Sequence, residues 1–109
     1  MINFNKEEIR NSLSTDDIFS LLQDFGAEPE YTGFGIVAAT VCHNERGDGS
    51  RKLYYYSNTS LFSCYTNCGT YDVFELVIKV FKIQRHDEID LNQAVRWVAQ
   101  RFNIAGEYQ

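Results

Sequence analysis

The chain is short of the features that would place it in several large classes. It has one proline, Pro29, one methionine and one tryptophan, and only three cysteines. An odd cysteine count cannot be closed into disulfides, which argues for a reducing compartment where thiols are free or metal-bound. No apolar run approaches the length that spans a bilayer. Residues 1–5 lack the basic and apolar regions of a secretory signal. There is no internal repeat and no low-complexity tract. A phosphate-cradling glycine loop with its lysine is missing too, and Gly47-Asp48-Gly49 is only a turn. No nucleophile–base pair or paired carboxylate cluster stands out, so an independent enzyme is not expected. What remains is a cytoplasmic domain with no membrane partner, large enough at 109 residues for one modest core.

Net charge is −5, but it is unevenly distributed. Residues 1–39 set Lys6 and Arg10 against Glu7, Glu8, Asp16, Asp17, Asp24, Glu28 and Glu30. Residues 40–85 reverse the balance, with Arg46, Arg51, Lys52, Lys79, Lys82 and Arg85 against Glu45, Asp48, Asp72 and Glu75. Residues 86–109 are again acidic. A weak basic centre can steer a phosphate backbone but cannot supply tight non-specific binding.

Local signals give an α+β order. Asn5 with Glu8 offers a cap for a short helix, and Ser14 with Asp17 caps a second, whose Ile18, Leu21, Leu22 and Phe25 share a face and which Gly26 ends. Residues 34–42 read as an apolar strand rich in β-branched side chains. Residues 52–56 and 61–65 read as a hairpin around Ser57-Asn58-Thr59-Ser60. A helix starts at Thr70 or Asp72, with Phe74, Val77, Ile78 and Phe81 on one face. A last helix is capped by Asp90 and Gln93 and buries Leu91, Ala94, Val95, Val98 and Phe102. The expected layout is one domain over 1–109: helices in 6–26, a ribbon in 34–69 and helices in 70–104. Residues 106–109 resemble the start of a linker or a natural end.

All three cysteines and one of the two histidines fall in residues 41–69. Thiolates with an imidazole suit a tetrahedral zinc ion, and a chain this small gains much from a metal cross-link. Cys42, His43, Cys64 and Cys68 are therefore the candidate ligands of one structural zinc. The adjacent pair Cys42-His43 requires a sharp turn, and the second pair has residues 65–67 between its members where the common knuckle has two. The competing reading makes Cys42 a small hydrophobe ending a strand and His43 a surface residue. His86, beside Arg85, Asp87 and Glu88, reads as a solvated loop residue.

Several motifs occur in a specific order: Cys42-His43-Asn44-Glu45, Arg51-Lys52-Leu53-Tyr54-Tyr55-Tyr56, Leu61-Phe62-Ser63-Cys64, Cys68-Gly69, Tyr71-Asp72-Val73-Phe74-Glu75-Leu76 and Gln93-Ala94-Val95-Arg96-Trp97-Val98-Ala99. Together, over residues 16–104, they resemble the zinc-binding domain of bacterial and phage DNA primases, in its phage-type form. Thr40 stands where the longer bacterial pattern has its first cysteine, so that ligand is assigned to Cys42. The resemblance implies a zinc-ribbon-like small antiparallel sheet flanked by helices. It also implies recognition of single-stranded template DNA at primer initiation, in a bacterial or phage-infected cell. Catalysis would belong to a separate primase domain, and a helicase or other replisome protein is a further expected partner.

By strand alternation Tyr54 and Tyr56 share one face while Leu53 and Tyr55 share the other. Tyr54, Tyr56 and Tyr65 are candidates for stacking on bases, with Arg46, Arg51 and Lys52 for phosphates. Core packing is the competing role for the tyrosines, and for Trp97 it is the favoured one. A different function also fits the acidic flanks: a zinc-stabilised phage protein that binds or inhibits a protein partner through its helices.

Overall fold

In the computed structural model, residues 2, 3, 5–66, 68–104, 107 and 108 are described. The chain runs β1 (Ile2–Asn3), α1 (Lys6–Ser12), α2 (Thr15–Asp24), β2 (Glu30–Tyr31), β3 (Gly35–Ala38), β4 (Leu53–Tyr56), β5 (Leu61–Cys64), β6 (Gly69–Tyr71), α3 (Val73–Gln84), α4 (Leu91–Arg101) and β7 (Glu107–Tyr108). It is an α+β fold: a five-stranded antiparallel sheet in the order β2-β3-β4-β5-β6, with helices before and after it in sequence. No described helix is long and apolar enough to cross a membrane. Of the tail read as linker, Gly106 and Gln109 lie outside the described residues, while Glu107 and Tyr108 pair with Asn3 and Ile2.

The helix starts follow from side chains that satisfy orphan amides. Asn5 Oδ1 accepts from the amides of Glu7 and Glu8 at 3.0 and 3.2 Å. Ser14–Asp17 and Asp90–Gln93 each close a reciprocal capping box. The second helix ends in a Schellman arrangement: Gly26 at φ +73° donates to Gln23 O, and Ala27 donates to Leu22 O. A side chain at residue 26 would also collide with Arg46, whose Cγ lies 2.5 Å from the position of a Cβ there.

Sheet register sorts the side chains. Ile36, Tyr55, Phe62 and Tyr71 stand in one cross-strand row and are buried; Ala38, Leu53 and Cys64 form the next buried row, opposite Gly69. Against this inner face lie Ile9, Ile18, Leu21, Leu22, Phe74, Val77, Val80, Ala94 and Val98, giving one continuous core. Trp97 is half-buried in helix packing, stacked on Phe25 at 5.9 Å and edge-on to Phe81 at 5.2 Å.

Three expectations need correction. The strand read over 34–42 stops at Ala38, because Ala39 N turns to donate to Ala27 O and Thr40 N donates to Ser50 O. Of the two helix starts expected, Asp72 is the one used, as N-cap of α3; Thr70 and Tyr71, expected in the helical part, instead pair with β5 in the strand Gly69–Tyr71. Leu91, expected in the core, is 42% exposed at the first position of α4, and Phe102 is only half-buried.

Candidate metal centre and outer sheet face

Past Ala38 the chain winds into one helical turn. The amides of His43 and Asn44 both donate to Thr40 O, at 3.3 and 3.1 Å. Thr40 is fully buried, and its Oγ1 accepts from Asn44 Nδ2 at 2.9 Å. A Cβ at Gly49 would sit 2.8 Å from that hydroxyl, so the loop of residues 44–50 closes tightly over the turn. This winding lets adjacent residues, Cys42 and His43, aim inward together. The sharp turn that the sequence demanded is therefore built on Thr40. From the other side, β5 delivers Cys64 at its last position, and the turn leading into β6 delivers Cys68.

The four side chains converge. His43 Nδ1 lies 3.5 Å from Cys42 Sγ, 3.6 Å from Cys64 Sγ and 3.3 Å from Cys68 Sγ. All four ligand atoms lie within 4.8 Å of one another, so the cluster is positioned to hold a metal ion. None of the cysteines is in a disulfide. Cys42 and Cys64 are buried, and Cys68 and His43 are partly so. Burial pushes the Cys42 thiol well above the ordinary thiol range and Cys68 upward as well. A central cation would engage the three sulfurs and the ring nitrogen at once. His86 is exposed and stands outside the cluster.

Sequence reasoning missed three neighbours of this site. The Thr66 hydroxyl lies 3.3 Å from His43 Nε2 and 3.4 Å from Cys64 Sγ, fixing the imidazole so that Nδ1 faces the sulfurs. Tyr71 is buried on the inner face, with the cysteine sulfurs as electrostatic neighbours. Lys79, on α3, stands over the Tyr71 ring at 5.5 Å and favours the charged form of Cys68. Thr66 lies within the Cys64–Cys68 interval and was open to suspicion on position alone. Tyr71 and Lys79 reach the site only through strand register and helix packing.

On the opposite face of the hairpin, Tyr54 and Tyr56 are half-exposed, as alternation required, while Leu53 and Tyr55 are buried. Tyr65 is 64% exposed; its hydroxyl bonds that of Tyr56 at 2.7 Å, and its ring meets Tyr54 edge-on at 5.1 Å. Phe34, 40% exposed and not singled out by sequence, extends the patch at 5.0 Å from Tyr56 and 5.8 Å from Tyr54. Tyr65 N donates to Lys52 O, which carries the β4–β5 pairing one step further and sets exposed Lys52 at the end of the tyrosine row. Ser63 and Thr70, hydroxyls in contact at 3.2 Å, complete this face.

The two arginines are engaged elsewhere. Arg46 donates to Asp24 O at 3.2 Å and lies over Gly26. Arg51 donates to Glu28 O at 2.8 Å and pairs with Glu30 at 3.4 Å. Both brace the segment between α2 and β2, and Lys52 is the basic residue that register brings beside the tyrosines.

No family model matches the chain, and no solved structure matches it. Among curated proteins it is similar to the SPbeta prophage-derived uncharacterized protein YorJ of Bacillus subtilis (strain 168), 45% identical over 107 residues. The match covers 94% of this chain but 27% of the relative, so the chain spans about a quarter of that protein's length.

Proposed function

We propose that the chain is a zinc-stapled, non-catalytic module that binds single-stranded nucleic acid, of the kind through which a DNA primase recognises its template. Zinc is the favoured ion because three thiolates and an imidazole form a soft, four-donor set with no position left for water or substrate. Zinc–sulfur bonds of about 2.3 Å and zinc–nitrogen bonds of about 2.0–2.1 Å, at a tetrahedral angle, separate sulfur from nitrogen by about 3.5–3.6 Å. The observed 3.3–3.6 Å agrees with those edges. Cys42, His43, Cys64 and Cys68 would hold the ion, which supplies cross-linking rather than reactivity.

The observation that carries the binding reading is an aromatic patch on the outer sheet face: exposed Phe34 beside β3 and exposed Tyr65, with half-exposed Tyr54 and Tyr56 on the hairpin whose inner side bears Cys64. Aromatic faces on a sheet stack with unpaired bases at about 1–3 kcal/mol each. Truncating Tyr54 or Tyr65 to alanine should therefore weaken binding of a fluorescent single-stranded oligonucleotide by about 5- to 150-fold. Lys52→Ala should flatten the salt dependence of that binding without disturbing the Arg51 brace. Anisotropy titrations in which the tyrosine variants bind like wild type would remove this face from the proposal. Similarity to a longer prophage-derived protein is consistent with one module of a larger phage replication protein, whose other parts would carry catalysis.

A second reading takes its support from the acidic, exposed Glu7, Glu8 and Asp16 on the N-terminal helices: docking on a protein of the replisome or host. A protein partner retained after nuclease treatment, with no oligonucleotide binding, would favour it.

A further inference from the structure

The Tyr71 side chain is 3% exposed, and its hydroxyl, with the Cys42 sulfur beside it, makes no well-aligned hydrogen bond among the described residues. Such a group is costly to bury unless something in the working state uses it. Register shows where it stands. Tyr71 pairs with Phe62, and Gly69, two residues back on the same face, pairs with Cys64. The phenol thus shares the inner surface with the metal cluster. Burial first, then its side-chain contact with Cys42, and last the charges of Cys42, Cys68 and Cys64 hold the proton on the phenol. A neutral thiol is a poor acceptor, whereas a metal-bound thiolate is a good one. Lys79, its ammonium 5.5 Å from the ring centroid, polarises the phenol toward donation and adds positive charge beside a cluster of three thiolates.

We infer that Tyr71 is a positioning residue for the metal site, its buried hydroxyl donating a hydrogen bond to the Cys42 thiolate when the metal is bound. The inference rests on the metal reading above. On binding, Cys42 releases its proton to solvent and its sulfur takes the metal. The Tyr71 proton stays on oxygen and is shared with the sulfur. Thr66 does the corresponding work at His43 Nε2, so both elements of the knuckle are oriented from behind.

The test is Tyr71→Phe, which removes one oxygen and keeps the ring packed on Phe62 at 5.8 Å. Zinc affinity, measured by competition with a chromophoric chelator, should fall by about 10- to 100-fold. In the cobalt-substituted protein, the sulfur-to-metal charge-transfer band should move to lower energy, because the thiolate has lost its donor. The melting temperature of chelator-stripped protein should hold or rise, since the variant no longer buries a hydroxyl without a well-aligned hydrogen bond; a loss of packing would lower it. Equal zinc affinity with an unmoved cobalt spectrum would overturn the inference and leave the metal site standing. Wild-type protein that takes up neither zinc nor cobalt would overturn the metal reading and this inference with it.

Discussion

Cys64→Ser should strip the protein of tightly held metal and lower its melting temperature by about 15–30 °C. Cys64 is the buried end of β5, and its sulfur lies 3.6 Å from His43 Nδ1, so it cannot be replaced by a neighbour without moving the hairpin. A ligand present at about 1,000 times its dissociation constant stabilises the native state by about 4 kcal/mol. For a domain of this size each kcal/mol is worth roughly 4–8 °C. The chain should remain folded at low temperature, because Ile18, Leu22, Ile36, Phe74 and Val77 give the continuous core apolar burial that does not depend on a metal. Elemental analysis and native mass spectrometry with a melting curve measure both effects. A serine variant that keeps one metal per chain would exclude Cys64 from the ligand set.

The second large effect is expected at Phe62. It is completely buried, stacked on Tyr71 at 14° between planes and tilted against Tyr55 at 4.9 Å, at the centre of the inner row. Phe62→Ala should cost about 3–5 kcal/mol, the transfer energy of the ring plus the void it leaves. Domains of this kind have only about 5–15 kcal/mol in total. The change should shift the urea midpoint with little change in slope. A loss below about 1 kcal/mol would mean that the ring is not where the core is densest.

Much of this architecture was legible because its signals are local. Ser14, Asp17, Asp90 and Gln93 announce helix starts by their own hydrogen-bonding chemistry, and alternation in Leu53-Tyr54-Tyr55-Tyr56 assigns each side chain to a face. The helix face of Phe74, Val77 and Phe81 is read the same way. The failures are non-local. Strand propensity runs on through Val41, yet the chain leaves the sheet at Ala39 because Ala27 O offers it a different acceptor. Glu30–Tyr31 and Gly69–Tyr71 are too short to show a period and become strands only because an edge is free beside them. Leu91 shows the limit of a helical pattern, which does not say where the partner surface ends. At the cluster, cysteine and histidine declare themselves by type. Thr66 and Tyr71 are ordinary residues until folding sets them behind the ligands, and Phe34 joins the tyrosines through the pairing of β3 with β4.

The sheet order has a kinetic consequence. Every strand of the five pairs with its neighbour in sequence; the connections are residues 32–34, 57–60 and 65–68, with the longer 39–52 between β3 and β4, so chain entropy is spent in modest steps. Pairing of β3 with β4 and of β4 with β5 brings the two knuckles together without calling on an ion. Metal should therefore act on the finished molecule: refolding rates in zinc and in chelator should agree within a few-fold, while zinc slows unfolding. Stopped-flow refolding that accelerates in proportion to zinc would instead make the ion part of the nucleus. On the sequential topology, the ion is a latch that closes after the door.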